Sequence, residues 1–295
     1  MKPAELQKMY QLEDTYWWFV ARRDLVRRLL ARYLPAGAAR RTLASAEAQT
    51  ASGRRRIADI GCGTGATLSL LQPFGRAVGM DIAEEAVGFC RERGHQELVQ
   101  GTAADLPFAD ASFDAIAALD ILEHLDDDAQ AVREIARVLR PGGLLVFTAP
   151  AYMFLWSEHD EALNHRRRYV APQIRALLES AGLEVLKVSY CITLLLAPIY
   201  AFRLVGRLLG HEKKGEPKTA LYTLPGPLNA LLIEILYLEN RWLARFNLPF
   251  GVSLAGVARK PGEHLASPTN CHTGSPAGDE KPPERSKQMS RGGHL

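Results

Sequence analysis

The order of hydrophobic patterns between residues 55 and 191 constrains this chain more than any other feature. Short apolar runs alternate with stretches whose apolar residues recur at helical spacing. "RRIADIG" reads as a strand and "GATLSLLQPF" as a helix, then "AVGMDI" as a strand and "AEEAVGFCRERG" as a helix. "ELVQGTA" and "FDAIAALDIL" read as strands, and "DDDAQAVREIARVLR" as a helix ended by a C-cap turn at "PGG". "LLVFTAP" is the next strand, "VAPQIRALLESAG" a helix and "LEVLKVSYC" a strand. Strands alternating with helices imply an α/β, doubly wound, mostly parallel sheet covered on both faces. Ligands of such sheets lie beyond the carboxyl ends of strands. Candidate site residues therefore fall at 61 to 65, 81, 102 to 105, 120 to 124 and 150 to 169.

Composition narrows the rest. The chain has 295 residues, 47% of them hydrophobic, and a formal net charge of +3. That supports one sizeable core with an elaboration, and the charge bias is too weak to expect a nucleic-acid partner. Cys62, Cys90, Cys191 and Cys271 are far apart in sequence with no CxxC pair, so neither a disulfide framework nor a zinc site is expected. The polar, acidic start "MKPAELQKMYQLEDTYWW" does not read as a signal peptide, and a cytoplasmic location is expected. Residues 35 to 56 read as a basic loop. The tail from Pro261 to Leu295, rich in Pro, Gly, Ser and charge, is expected to be disordered.

The first strand runs straight into "GCGTG". Gly61, Gly63 and Gly65 allow a tight turn and close approach of a ligand to backbone N–H groups at a helix N-terminus. "GCGTGA" also fits a dinucleotide fingerprint if Ala66 takes the last glycine position. Asp59, two residues before the first glycine, argues otherwise: a carboxylate there suits an ammonium group and repels a pyrophosphate. Asp81, ending the second strand, can accept hydrogen bonds from both hydroxyls of a ribose, or cap the helix that follows, or both.

At this point the chain resembles a known family. "DIGCGTG", "GMDIAEEAV", "LPFADASFD", "LEHLDD" and "EIARVLRPGGLLVFTAP" occur in the order found in class I S-adenosylmethionine-dependent methyltransferases, over roughly residues 55 to 190. The subgroup that includes the ubiquinone and menaquinone biosynthesis enzymes is the most similar. The resemblance implies a Rossmann-like sheet with an antiparallel last strand and S-adenosyl-L-methionine as cofactor. It implies that Asp59 and the glycine loop hold the methionine end, that Asp81 holds the ribose, and that Ile82 lies against the adenine. The family often has an aspartate where this chain has Thr102; Thr102 and Ala103 remain expected neighbours of the adenine. Asp120 would face the sulfonium. "EDTYWWFVARR" and "LWSEHDEALNHRRRY" resemble a bacterial branch often assigned to cell-envelope or lipid-linked compounds.

Methyl transfer needs alignment, exclusion of water and, for oxygen or nitrogen acceptors, often a general base. Histidine suits that role near neutral pH. His124, His159 and His165 follow the fourth and fifth strands. His124 reads as a structural group that caps the following helix or bonds a loop carbonyl. His159 followed by Asp160 is the first choice for an oriented base, with Trp156 as a pocket wall, and His165 the second. Asp120, Glu123 and His124 also resemble a divalent-metal motif of some ubiquinone O-methyltransferases and small-RNA 2′-O-methyltransferases, but relatives carry "EH" here without metal, and no metal is assigned. "HRRRY" reads equally as a solvated turn or as a clamp for an anionic group on the acceptor. Trp17, Trp18, Arg22 and Arg23 lie on an N-terminal helix, over residues 1 to 34, that either packs on the core or closes over the cofactor.

The most apolar stretch, "CITLLLAPIYAFRLVGRLLG", begins an insertion over residues 192 to 247. Roughly sixty residues separate the strand "EVLKVSYC" from its expected neighbour "VSLAGVARK", and connections that long usually carry function. The insertion's second helix carries Leu228, Leu231, Leu232, Ile235, Trp242 and Phe246 along one side. The uncharged part of the apolar run is roughly twelve residues, against the roughly twenty of a spanning helix, so an interfacial hairpin or a helical lid is expected. The sequence thus points to a methyltransferase acting on a small-molecule or lipid-linked acceptor, by O-methylation, with peripheral membrane contact through 191 to 246. The alternatives are a non-catalytic nucleoside-binding scaffold and an NAD(P)-dependent oxidoreductase. Oligomeric state is not legible.

Overall fold

The computed structural model describes residues 3–34, 54–208, 219 and 224–262. Most of the loop expected over 35 to 56 and nearly all of the expected tail lie outside these residues. Two helices, α1 (Pro3–Leu12) and α2 (Trp17–Tyr33), precede the alternating region. It then runs β1 (Arg56–Ile60), α3 (Ala66–Leu71), β2 (Arg76–Asp81), α4 (Glu84–Glu92), β3 (Leu98–Gln100) and β4 (Phe113–Leu119). After these come α5 (Asp128–Val138), β5 (Leu139–Pro150), α6 (Glu158–Ala162), α7 (Ala171–Ser180) and β6 (Glu184–Cys191). The insertion contains α8 (Leu196–Leu208) and α9 (Gly226–Leu243), and β7 (Ser253–Arg259) closes the sheet.

The seven strands are ordered β3-β2-β1-β4-β5-β7-β6. The first five in that order are parallel, and β7 runs antiparallel between β5 and β6. This is the expected Rossmann-like sheet with an antiparallel last strand. β4 shows why the sheet takes two layers of helix. Its side chains alternate faces: Ile116 and Ala118 join a cluster with Val132 and Ile135 of α5 and Ile174 and Leu178 of α7. Ala115 and Ala117 join another with Leu25, Val26 and Leu29 of α2 and Leu236 and Leu243 of α9. Small residues on β4 let both layers approach the sheet closely.

One expectation is corrected. "PGG" does not cap α5: Leu139 already has an extended backbone, and Pro141–Gly143 lie inside β5. There Gly142 takes φ +80°, the pairing with β4 shifts register between Phe113 and Ala115, and Gly142 N–H donates to Lys260 O at 2.8 Å. Pro141 cannot donate to a ladder, so the strand bends at that point rather than starting after it. The cysteines far apart in sequence are not all apart in space. Cys62 and Cys90 are buried free thiols with sulfurs 3.7 Å apart, because α4 packs under the glycine loop.

The insertion is anchored by polar groups. Glu239 of α9 is buried and accepts hydrogen bonds from the N–H groups of Ile192, Thr193 and Leu194, where the chain leaves β6 with Ile192 at φ +59°. Asn240 donates to Ala21 O at 2.8 Å, and Asn229 to Thr15 O at 2.9 Å, which ties α9 to α2. The side of α9 picked out in the sequence is not what holds it. Leu228, Leu231, Trp242 and Phe246 are exposed, while Leu236, Glu239, Asn240 and Leu243 face inward. Leu232 and Ile235 lie at the boundary, half-buried. No helix among the described residues is long and apolar enough to cross a membrane.

Candidate functional site

The glycine loop forms at the carboxyl end of β1, where the parallel topology places a crevice. Gly61, Gly63 and Gly65 take φ values of +74°, +54° and +92°. At Gly65 a Cβ would also lie 2.9 Å from Cys90 Sγ and 3.3 Å from Cys90 Cα, so glycine is demanded by both backbone and space. The N–H groups of Gly61 and Cys62 donate to Met80 O at 2.8 and 2.9 Å, locking the loop to the end of β2.

Three carboxylates converge there. Asp59 is 2% exposed, and burial pushes its carboxyl up to about 7; Arg22 opposes that rise, and Glu13 and Asp81 add to it. Asp81 accepts from Gly63 N–H and Ala83 N–H, both at 2.9 Å, so it braces the loop and the turn into α4. Each of its oxygens keeps a further lone pair for a hydroxyl. Glu13, from the turn between α1 and α2, accepts from the Thr64 hydroxyl and from Ala66 N–H at 3.4 Å. Sequence reasoning missed Glu13: it lies outside the alternating region, and only the fold brings it to the N-terminus of α3. Met9 of α1 also reaches the loop, within 2.7 Å of where a Gly63 Cβ would stand. α1 and α2 therefore pack on the core and also reach the cofactor loop.

The adenine-side candidates flank this group. Ile82 is 70% exposed, an aliphatic surface just beyond Asp81. Gly101 N–H donates to Asp81 O at 3.0 Å, which brings Thr102 and Ala103 alongside. The Thr102 hydroxyl accepts from Ala104 N–H at 3.3 Å, and Ala103 is buried. Asp120, with φ +52°, ends β4 and is held by Arg22 at 2.6 Å and by the Thr148 hydroxyl at 2.9 Å. One arginine thus serves both Asp120 and the field at Asp59.

The second group follows β4 and β5. Glu123 and His124 lie in a 3-10 turn, and His159, Asp160 and His165 lie in and after α6. The rings of His124 and His165 are 4.7 Å apart, and those of His159 and His165 are 6.3 Å apart. Asp160 is fully buried and accepts from His165 Nδ1 at 2.9 Å and from Arg168 at 2.8 and 3.0 Å, while its charge also acts on His159. The physical reason is the short helix, which turns Asp160 inward as the third residue of a capping box with Ser157. Its carboxyl lies far below the usual range: burial would raise it, but the bonds from His165 and Arg168 outweigh that. Burial lowers His124 and His159 to about 4, so both are neutral at pH 7. Glu123 is fully buried and raised well above the usual carboxylate range by burial and by Asp120.

The three arginines of "HRRRY" are each paired within the chain, Arg166 in the open and Arg168 buried. Arg166 pairs with Asp126, Arg167 with Asp128, and Arg168 with Asp160 and Ala151 O. They brace the segment after α6 against the turn after β4.

Comparison with known proteins bears on the family. Residues 58–147 match the family described as "Methyltransferase domain". A Mycolicibacterium smegmatis protein named "Probable S-adenosylmethionine-dependent methyltransferase" is 38% identical over 135 residues, 44% of this chain and 52% of that protein. A "Fatty-acid O-methyltransferase" of the same organism is 33% identical over 138 residues, 45% of each chain. The matched stretch thus spans about half the length of these relatives. Among solved structures, a chain of the complex containing the Haloferax volcanii Trm112 methyltransferase activator has a TM-score of 0.54 at 18% identity, covering 88% of this chain and 96% of that one. The [4+2]-cyclase SpnF has a TM-score of 0.51 at 23% identity, covering 81% of both. These two likenesses concern the fold alone. Residues 58–147 thus match the methyltransferase-domain family, and a relative that shares this stretch is named as an S-adenosylmethionine-dependent methyltransferase.

Proposed function

We propose that this chain is an S-adenosylmethionine-dependent methyltransferase that methylates an oxygen of a small-molecule or lipid-like acceptor. The observation that carries the reading is the convergence of Asp59, Glu13 and Asp81 on a glycine loop at a helix N-terminus. That environment favours a cationic amino-acid end over a pyrophosphate, which argues against a nicotinamide dinucleotide. In this reading Asp59 and the loop of Gly61, Gly63 and Gly65 hold the methionine end, and Asp81 accepts from the ribose hydroxyls. Ile82 covers one adenine face, Thr102 and Ala103 border its edge, and Asp120 faces the sulfonium. The acceptor hydroxyl loses its proton to an imidazole of the His159–His165 pair as its oxygen takes the methyl group, and the sulfonium becomes a thioether.

Two observations support the acceptor class. The similar M. smegmatis protein is named for O-methylation of fatty acids. The insertion presents Phe202, Leu208, Leu231, Leu238, Trp242 and Phe246, each more than half exposed, which suits a lipid-linked acceptor or the membrane surface that holds one. The test is twofold. Calorimetry with S-adenosylmethionine and its demethylated product is expected to show binding. Lipid extracts incubated with labelled methyl donor are then expected to gain label with the wild-type chain. Binding without label in any oxygen-bearing lipid or small molecule would leave a nucleoside-binding scaffold as the better reading.

A further inference from the structure

We infer that Glu123, His124 and His165 form a binding site for one divalent first-row transition-metal ion. Glu123 is 0% exposed, and among the described residues both of its carboxylate oxygens are buried without a hydrogen-bond partner. Buried polar groups are paired with few exceptions, so an orphaned carboxylate calls for an explanation. A proton on Glu123 does not supply one, because the imidazole nitrogen opposite, His165 Nε2, is 4.0 Å from Oε1, too far for a hydrogen bond. Four ångströms does suit two ligands of a shared ion, since donor atoms each ~2.1 Å from a metal sit about 3 to 4 Å apart. One donor atom from each of Glu123, His124 and His165 lies within 4.8 Å of the other two.

The imidazole of His165 is oriented from behind. His165 Nδ1 faces Asp160 Oδ1 at 2.9 Å, and two bonds from Arg168 keep Asp160 an acceptor. Nδ1 therefore carries the proton, and the lone pair of Nε2 turns toward Glu123. His124 lies with the Leu163 backbone beside its ring. Proteins present neutral imidazoles to metals in this way. The ligand set is not the one the sequence motif names: Asp120 is committed to Arg22 and Thr148, and His165 comes from forty residues downstream of that motif. Two imidazoles with one carboxylate suit Mn²⁺, Fe²⁺, Co²⁺ or Zn²⁺ better than Mg²⁺ or Ca²⁺, which prefer oxygen. Three protein ligands leave a coordination position for water or an oxygen of a bound molecule. With the ion bound, His165 is a ligand, and His159 is the imidazole outside the set.

The test needs neither methyl donor nor acceptor, so its failure and that of the proposed activity are distinguishable. The full chain, stripped with chelator, is titrated with Mn²⁺, Co²⁺ and Zn²⁺ by calorimetry, and the Co²⁺ form is read by visible absorption. One ion per chain is expected, with a Kd on the order of micromolar or tighter and d–d bands of a nitrogen- and oxygen-ligated site. Glu123→Gln and His165→Gln are each expected to weaken binding by about tenfold or more, and His159→Gln to leave it within about twofold. If Glu123→Gln does not fold by circular dichroism, His124→Asn carries the comparison. No stoichiometric binding to the folded wild-type chain, or the same Kd in the ligand variants that fold, overturns the inference.

Discussion

Asp59 carries more of the cofactor argument than its place in the motif suggests. It was legible from sequence as the carboxylate before the first glycine. Its protonation was not, because that depends on burial first and then on Arg22 and Glu13 arriving from the N-terminal segment. In the free protein burial holds its carboxyl at about 7, so near neutral pH it is partly protonated. A cationic ammonium beside it favours the ionised form. Binding of S-adenosylmethionine is therefore expected to release a proton near pH 7 and to weaken as pH falls below 7. Asp59→Asn is expected to weaken binding about 10- to 100-fold, the loss of one charge-assisted contact, and to abolish the proton release. Calorimetry in two buffers of different ionisation enthalpy measures both. Equal proton release in the variant would assign that proton to another group. Asp160 illustrates the opposite case. The sequence suggests a partnership with its neighbour His159, yet the short helix turns the carboxylate to His165 and Arg168. Asp160→Asn removes the buried charge that Arg168 needs, and a loss of about 3–5 kcal/mol is expected from chemical denaturation.

At the scale of elements, the strand–helix alternation was readable, because period-2 and period-3.6 patterns are local, while the antiparallel last strand was what the family resemblance implied. The ends of elements were less so. "PGG" looks like a helix stop, but the helix already ends at Leu139 and the glycines serve a bend inside β5 that only the pairing with β4 and Lys260 makes visible. The inward face of α9 was not legible for a similar reason. Its apolar stripe is the more conspicuous pattern, while the residues that anchor it include Glu239 and Asn240, polar groups whose value appears only once α2 and the end of β6 are beside them. Glu239→Ala would strip the N–H groups of Ile192, Thr193 and Leu194 of their acceptor. A loss of about 2 kcal/mol or more is expected, together with faster hydrogen exchange over 192 to 208. Exchange rates unchanged in that segment would mean that other contacts hold α8.

For the molecule as a whole, the sheet keeps its nucleoside crevice at one end while α8 and α9 lie on the α2 face, sharing a core cluster through Leu195, Leu196, Ile199, Leu236 and Leu243. Both helices use one side for that cluster and leave aromatic and aliphatic groups on the other. A small globular chain seldom exposes so many large apolar groups without an occupant for them. Arg241 and Arg245 near the end of α9 are exposed too, which suits an anionic headgroup layer. The chain is therefore expected to co-sediment with vesicles containing anionic lipid and to bind less as salt is raised. Removing two aromatic anchors, as in Phe202→Ser with Trp242→Ser, is expected to lower vesicle affinity on the order of 10- to 100-fold, at roughly 1–2 kcal/mol of lost apolar burial per side chain. The same double variant is expected to bind S-adenosylmethionine like the wild type, because neither residue touches the glycine loop. Hydrogen exchange supplies the independent check: protection over 191 to 246 is expected to rise with vesicles present. Unchanged protection, together with equal pelleting of variant and wild type, would make the exposed face a lid for a diffusing acceptor instead.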